Sequence, residues 1–374
     1  MAQKTTSSIG MPLVGLGTWK AAKGVVGEAV VTAIRAGYRH LDCASDYGNE
    51  SEVGAGIATA IAEGLVTREE LWVTSKLWNT YHAAEHVELA LRKTLTDLNL
   101  EYVDLYLIHF PIPLRFVPFD TLYPPEWVCP ETGKMEMARV PARETWGAME
   151  KLKGLGLAKH IGVSNFNPAL LADLLTTATI APEVNQVELH PYLQQQQLVD
   201  FCASVNVEVT GFSPLGHSSY VEIGGGGLQG AVGIINEPLL AEIGAKYGKT
   251  AAQVALRYSV QRGCSIVPKS TNAGRLAENL AIFDFLVGSR FRNTQRWQTP
   301  DQCTELLFFI ALQTRSPLRS PPTHFPTLHS FLGTRCRALR RWINICASTT
   351  RASIASLWAC PRAARFTTRQ YGHT

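Results

Sequence analysis

The first 285 residues alternate between two kinds of apolar pattern. Short apolar or β-branched runs stand at 15–19 (GLGTW), 38–44 (YRHLDCA), 71–77 (LWVTSKL) and 103–110 (VDLYLIHF). They continue at 158–166 (AKHIGVSNF), 184–189 (VNQVEL), 207–214 (VEVTGFSP) and 264–270 (CSIVPKS). Between them, 28–36, 49–63, 83–98, 142–155, 169–176 and 251–261 carry the three-to-four-residue apolar spacing of helices. Eight strands, most followed by a helix, predict a parallel α/β domain with strands buried on both faces. A closed barrel and a doubly wound open sheet both satisfy that pattern.

The polar residues choose between them. Asp42, Lys76, His109, Asn165, Gln186, Ser213 and Lys269 each fall at or just past the C-terminal end of a predicted strand. Seven strands delivering polar chemistry to one face is how a (β/α)8 TIM barrel builds a site. An open sheet concentrates its site near one switch point. The barrel is therefore the predicted fold, with an N-terminal β-hairpin.

Composition changes the picture at one place. The chain has 374 residues, 46% of them hydrophobic and 18% charged, which excludes a disordered protein and leaves material for a sizeable core. Its net charge of +4 is the sum of two unlike parts. Residues 1–285 carry 22 basic and 29 acidic residues, a net −7. Residues 286–374 carry thirteen arginines, no lysine and two acids, a net +11. That second part has no periodicity. It reads as an Arg-rich, disordered tail never selected to fold, such as translated intron or a shifted frame; an ordinary tail and a basic arm are the alternatives. The expected domains are thus 1–285 and 286–374. No run of eighteen apolar residues, no signal-like start and eight scattered cysteines without a CxxC pair point to a cytoplasmic protein without membrane or nucleic-acid partners and without a metal site.

A GxGxxG occurs at Gly225, Gly227 and Gly230, but far along the chain and inside GGGGLQGAVG. That stretch is too glycine-rich to open a helix and reads as a surface loop rather than a dinucleotide fingerprint; a loop that folds over a ligand is the other reading. The stronger signal surrounds LDCASDYG. Asp42, Tyr47, Lys76 and His109 are each ordinary alone, as an ion pair, a surface Tyr or a core His. At successive strand ends they form a proton-transfer set. The Lys76 ammonium is expected to lower the Tyr47 pKa, Asp42 to hold Lys76, and His109 to orient a carbonyl oxygen.

These motifs, with LGTWK (16–20), SKLWNT (75–80), LIHFP (107–111), IGVSNF (161–166), NQVELHP (185–191), GFSPLG (211–216) and IVPKSTNAGRLAEN (266–279), resemble the aldo-keto reductase superfamily. The 116–133 insertion and SYVEI (219–223) point to its fungal xylose reductase-like branch. The resemblance covers about three-quarters of the chain and implies a tetrad of Asp42, Tyr47, Lys76 and His109 with Tyr47 as general acid. It implies an extended NADPH, with NADH also used. Ser164, Asn165 and Gln186 would hold the carboxamide, and Phe212 (in place of the usual tyrosine) the nicotinamide face. Ser213 and Leu215 would lie at the pyrophosphate, and Lys269, Ser270, Thr271 and Arg275 at the 2′-phosphate. Glu278 and Asn279 would lie at the adenine, and Glu222 at the ribose. Trp19, Trp78, Phe110 and Trp127, with Tyr47 and His109, would line the substrate. After Phe285 the family pattern ends, so its last helix and C-terminal loop are expected to be missing or altered. The implied function is NAD(P)H-dependent reduction of aldoses, such as D-xylose, and of other aldehydes, by a monomer or homodimer. A cofactor-binding regulatory module and an inactive isoform are the alternatives.

Overall fold

The computed structural model describes residues 6–216 and 233–288. The strands are β1 Leu16–Gly17, β2 His40–Asp42, β3 Trp72–Leu77, β4 Val103–Ile108, β5 Ala158–Ser164, β6 Val184–Glu188, β7 Glu208–Phe212 and β8 Ser265–Ile266. The helices are α1 Val26–Ala36, α2 Glu50–Ala62, α3 Ala84–Leu98, α4 Ala142–Gly154, α5 Pro168–Thr177, α6 Gln196–Ser204, α7 Pro238–Ala245, α8 Ala251–Gln261 and α9 Ala273–Leu280. The strands pair in parallel in the order β1 to β8.

Closure follows from the seam between the first and last strands. Gly15 N donates to Ile266 O at 2.8 Å, Ile266 N to Leu13 O at 2.8 Å and Gly17 N to Pro268 O at 3.1 Å. The ladder thus joins β8 to the β1 segment and the sheet is a barrel. Gly17 is required at this seam, because a Cβ there would lie 2.6 Å from Val267 O. The seam strands are shorter than the apolar runs suggest, but their backbone bonds continue past the regular stretches.

Side chains sort by the two-residue period of a strand. Leu105 and Leu107 of β4 join Met11, Trp72 and Val184 in one cluster. Tyr106 and Ile108 of the same strand face the larger core shared with the helices. The expected N-terminal hairpin is represented among the described residues by an antiparallel bridge, Thr6 to Pro12, that delivers Met11 to the first cluster. Three helices, α6, α7 and α9, lie outside the stretches expected from the apolar spacing. In α6, the run Gln194–Gln197 hides the pattern, and only Leu198 and Cys202, one turn apart, are buried. In α7, Glu237 caps Leu239 N and Pro238 opens the helix.

Beyond Phe285, Val287 still packs into the core, its backbone clamped both ways by the Gln261 amide at 2.9 Å. Residues 289–374 of the tail lie outside the described residues, as do Glu222 and the 225–230 glycine motif. Among the described residues, no helix is long and apolar enough to cross a membrane.

Candidate active site

Three strand exits and one turn assemble the acid–base corner. Asp42 closes β2, Lys76 sits one residue before the end of β3, and His109 follows β4. Tyr47 ends a single 3-10 turn, Ser45–Tyr47, which Gly48 can close because it adopts φ +67°. Lys76 is fully buried, and all three of its N–H bonds are used. Nζ donates to Asp42 Oδ1 at 2.6 Å, Cys43 O at 2.8 Å and Tyr47 OH at 3.1 Å. The other Asp42 oxygen accepts from Gln186 Nε2 at 2.6 Å. A charge pair taken out of water survives only when its remaining valences are satisfied in this way.

The arrangement has a chemical consequence. Tyr47 OH accepts from Lys76 and donates to no acceptor among the described residues. Its proton is left for a ligand. The net shift of the phenol runs opposite to the lowering expected from Lys76. Burial first, then the charges of Asp42 and Asp46, push Tyr47 well above its ordinary value. The phenol is therefore held protonated at neutral pH, and Lys76 is placed to stabilise phenolate as it forms rather than beforehand.

His109 stacks on Phe110 at 4.7 Å between centroids and meets Tyr47 and Trp78 edge-on at 5.9 and 5.4 Å. Its Nδ1 lies 3.2 Å from Asp46 Oδ1, but without the alignment of a hydrogen bond, so both atoms are unsatisfied. Its Nε2 makes no hydrogen bond with the described residues. Asp46 is a site residue that sequence reasoning misses, although a carboxylate directly before the acid is an available signal.

The aromatic candidates largely converge. Trp78, Phe110 and Trp127 meet pairwise with centroids 6.0, 4.9 and 4.9 Å apart. The insertion that supplies Trp127 is tied by a bridge between Cys129 and Lys134 and by Arg115, whose guanidinium spans Glu131 and Glu136. Glu126 O, next to Trp127, accepts the Trp78 indole N–H at 3.1 Å. Trp19 is different: its ring contact is the Lys20 ammonium, 4.9 Å from the centroid. A cavity of about 350 Å³ opens beside the insertion, lined in part by Thr80, Leu114, Phe116 and Met137, and no tetrad residue lines it.

The remaining candidates follow the barrel rim. Ser164 Oγ donates to Gln186 O at 2.8 Å, and Asn165 Nδ2 donates to His109 O at 2.9 Å. Asn165 holds φ +63°, a left-handed conformation that asparagine tolerates better than most residues. The amide nitrogens of Asn165 and Gln186 donate to protein acceptors, and among the described residues no donor is recorded for their side-chain oxygens, which leaves them as acceptors. These suit a carboxamide NH₂. Phe212 ends β7, half-buried, and Ser213 turns the chain with φ +46° toward the Ser213–Gly216 turn that contains Leu215.

At the exit of β8, Lys269, Thr271 and Arg275 are exposed and Ser270 is buried, with Arg275 Nε 3.5 Å from Ser270 Oγ. Asn272 caps α9 through Arg275 N. Neither Lys269 nor Arg275 has a carboxylate partner among the described residues. Two unpaired cations beside a helix start are a donor set for an anion such as phosphate. Glu278 is exposed, whereas Asn279 is buried in α9 with its side chain against the Tyr38 phenol. Among the described residues, no group of three or more His, Cys, Asp or Glu could hold a metal ion.

Comparison with known proteins adds to this geometry. The profile of the Aldo/keto reductase family matches residues 9–291. An NAD(P)H-dependent D-xylose reductase of Candida tenuis is 49% identical over 75% of this chain and 88% of its own length. The NAD(P)H-dependent D-xylose reductase I,II of Candida tropicalis is 47% identical over 75% of this chain and 87% of its own. Among solved structures, a Bombyx mori aldo-keto reductase in complex with NADP superposes with a TM-score of 0.67. It is 40% identical and covers 76% of this chain and 89% of that one.

Proposed function

The chain belongs to the aldo/keto reductase family, and on that premise we propose that it reduces the carbonyl of aldoses such as D-xylose, and of other aldehydes, to alcohols with NAD(P)H. When bound, the reduced nicotinamide supplies hydride to the carbonyl carbon. The chain supplies the rest. Tyr47 gives its unshared proton to the carbonyl oxygen. Lys76, fixed by Asp42 and Cys43 O, stabilises the phenolate left behind. His109 Nε2 orients the carbonyl oxygen beside the phenol.

Trp78, Phe110 and Trp127 would form the apolar wall together with Trp19, and the unsatisfied Asp46 Oδ1 offers a polar group for sugar hydroxyls. An aldehyde without hydroxyls has no use for Asp46, which favours aldoses. Ser164, Asn165 and Gln186 would hold the carboxamide, Phe212 the ring face, and Ser213 and Leu215 the pyrophosphate. Lys269, Ser270, Thr271 and Arg275 would take the 2′-phosphate, which favours NADPH. Glu278 and Asn279 would lie at the adenine, and Glu222, outside the described residues, would be the group for the ribose. The enzyme works in the cytoplasm, as a monomer or homodimer, with residues 1–285 as its catalytic domain.

The observation that carries this reading is the Lys76 ammonium with all three bonds used, one of them to Tyr47 OH, which has no acceptor for its own proton among the described residues. No named relative favours a regulatory module, since all are enzymes. Tyr47→Phe should reduce turnover below a tenth of wild type while NADPH binding, read by fluorescence titration, is kept. Retention of more than a tenth would show that the proton comes from elsewhere.

A further inference from the structure

Beneath the acid–base corner lies a second buried acid that the reaction above does not use. Glu50 is the first residue of α2, three residues after Tyr47, and is 3% exposed. Its Oε1 accepts from Ser75 Oγ at 2.6 Å, and Ser75 directly precedes Lys76 on β3. Its Oε2 accepts from Thr94 Oγ1 of α3 at 3.1 Å. No cation pairs with it among the described residues. The titratable groups near enough to interact with it electrostatically are Asp46 and Tyr47 on the preceding turn, Cys43 after β2, Tyr106 on β4, Tyr123 in the insertion, and Asp97 on α3. Asp97 is itself ion-paired to Lys93. Every one of these groups is neutral or becomes negative.

We propose that Glu50 is a positioning residue for the proton donor: a neutral acid held between Ser75 and Thr94, whose ionisation weakens Tyr47 as an acid. The inference rests on Tyr47 being that donor. Two hydroxyls can serve a carboxylic acid as well as a carboxylate, because each can donate or accept. Two features favour the charged form, the hydroxyl bonds and the start of α2. Burial opposes them and wins, pushing the Glu50 carboxyl up from 4.5 to about 8. At neutral pH the carboxyl is therefore mostly uncharged. Once ionised, it adds to the field that already raises the phenol. A weaker acid transfers its proton more slowly. Reduction should thus lose rate as pH climbs through the Glu50 transition, before the phenol itself titrates.

The stability sign is fixed by the same shift. A carboxyl whose folded-state value is raised contributes stability that is complete below about 4.5 and is lost as pH rises through about 8. Glu50→Gln copies the neutral form and has no such loss.

The test uses the full chain and two readouts. Thermal unfolding from pH 5 to 9.5 should show Glu50→Gln gaining on wild type as pH rises. Turnover of D-xylose at saturating NADPH should agree within about twofold at pH 6, and by pH 9.5 Glu50→Gln should exceed wild type by about threefold or more. Thr94→Val, which removes one bond to the ionised form, should move the wild-type break to higher pH; a purely structural role would leave it in place. Superimposable turnover profiles for wild type and Glu50→Gln, or an unmoved break in Thr94→Val, would overturn the proposal. Failure of the Tyr47 reading is separately visible, because Tyr47→Phe would then retain turnover while the unfolding data still report Glu50.

Discussion

The two ends of the barrel mouth solve the placement of positive charge in opposite ways. At the acid–base end, Lys76 is fully buried and each of its protons has a protein acceptor. At the β8–α9 end, Lys269 and Arg275 are exposed and have no carboxylate partner among the described residues. Burial explains the difference. A desolvated ammonium without partners costs several kcal/mol, so Lys76 must be satisfied before any ligand arrives. Water serves the exposed cations until an anion displaces it, so they can stay unpaired. On the proposed function, the first end would be preorganised for a proton and the second held open for charge brought in by a cofactor. Damage at the first should appear in turnover and stability, and damage at the second in cofactor affinity alone.

The largest effect is expected from Lys76→Met. Removing the ammonium leaves Asp42 charged and buried, which should destabilise the fold by about 3–5 kcal/mol. Turnover should fall with it, because phenolate loses its counter-charge. The double variant Asp42→Asn with Lys76→Met removes the orphaned charge, so denaturant unfolding should show much of the stability restored while turnover stays low. Equal stability of single and double variants would mean that the pair is not coupled as described.

At the open end the effect should be smaller and selective. Lys269→Met should weaken NADPH by about 1.5–3 kcal/mol, the range for hydrogen bonds to charged groups, and leave NADH nearly unchanged. Ser270→Ala should act in the same sense by about 0.5–1.5 kcal/mol. Fluorescence titration of both cofactors decides this. Equal losses for NADPH and NADH would place these residues away from the 2′-phosphate, and a fall in thermal stability would blur the contrast between the two ends.

The two ends also differ in how they read from sequence. Asp42, Lys76 and His109 interrupt apolar runs at strand exits, so their shared face is visible in the strand pattern alone. Lys269 and Arg275 are conspicuous only through the family motif, because exposed cations at a helix start are common. The barrel itself is legible because eight apolar runs alternate with helical stretches. Helix α6 escapes, since four consecutive glutamines mask its two buried positions. Asp46 and Glu50 escape as well, because nothing in a sequence distinguishes a buried acid from a solvated one. The direction of the Tyr47 shift escapes for the same reason: the neighbouring ammonium can be foreseen, but the burial that outweighs it cannot. Trp127 can be named from the insertion only as an aromatic within reach, and its packing on Trp78 and Phe110 depends on pairings within that loop.

The central claim is that the preorganised end performs chemistry rather than merely retaining a cofactor. The most direct test is NADPH oxidation by the full 374-residue chain on addition of D-xylose, with the sugar product identified. The account predicts one NADPH consumed for each pentitol formed, catalytically and without added metal. Tight NADPH binding with no oxidation by D-xylose or by a simple aldehyde such as glyceraldehyde would contradict it.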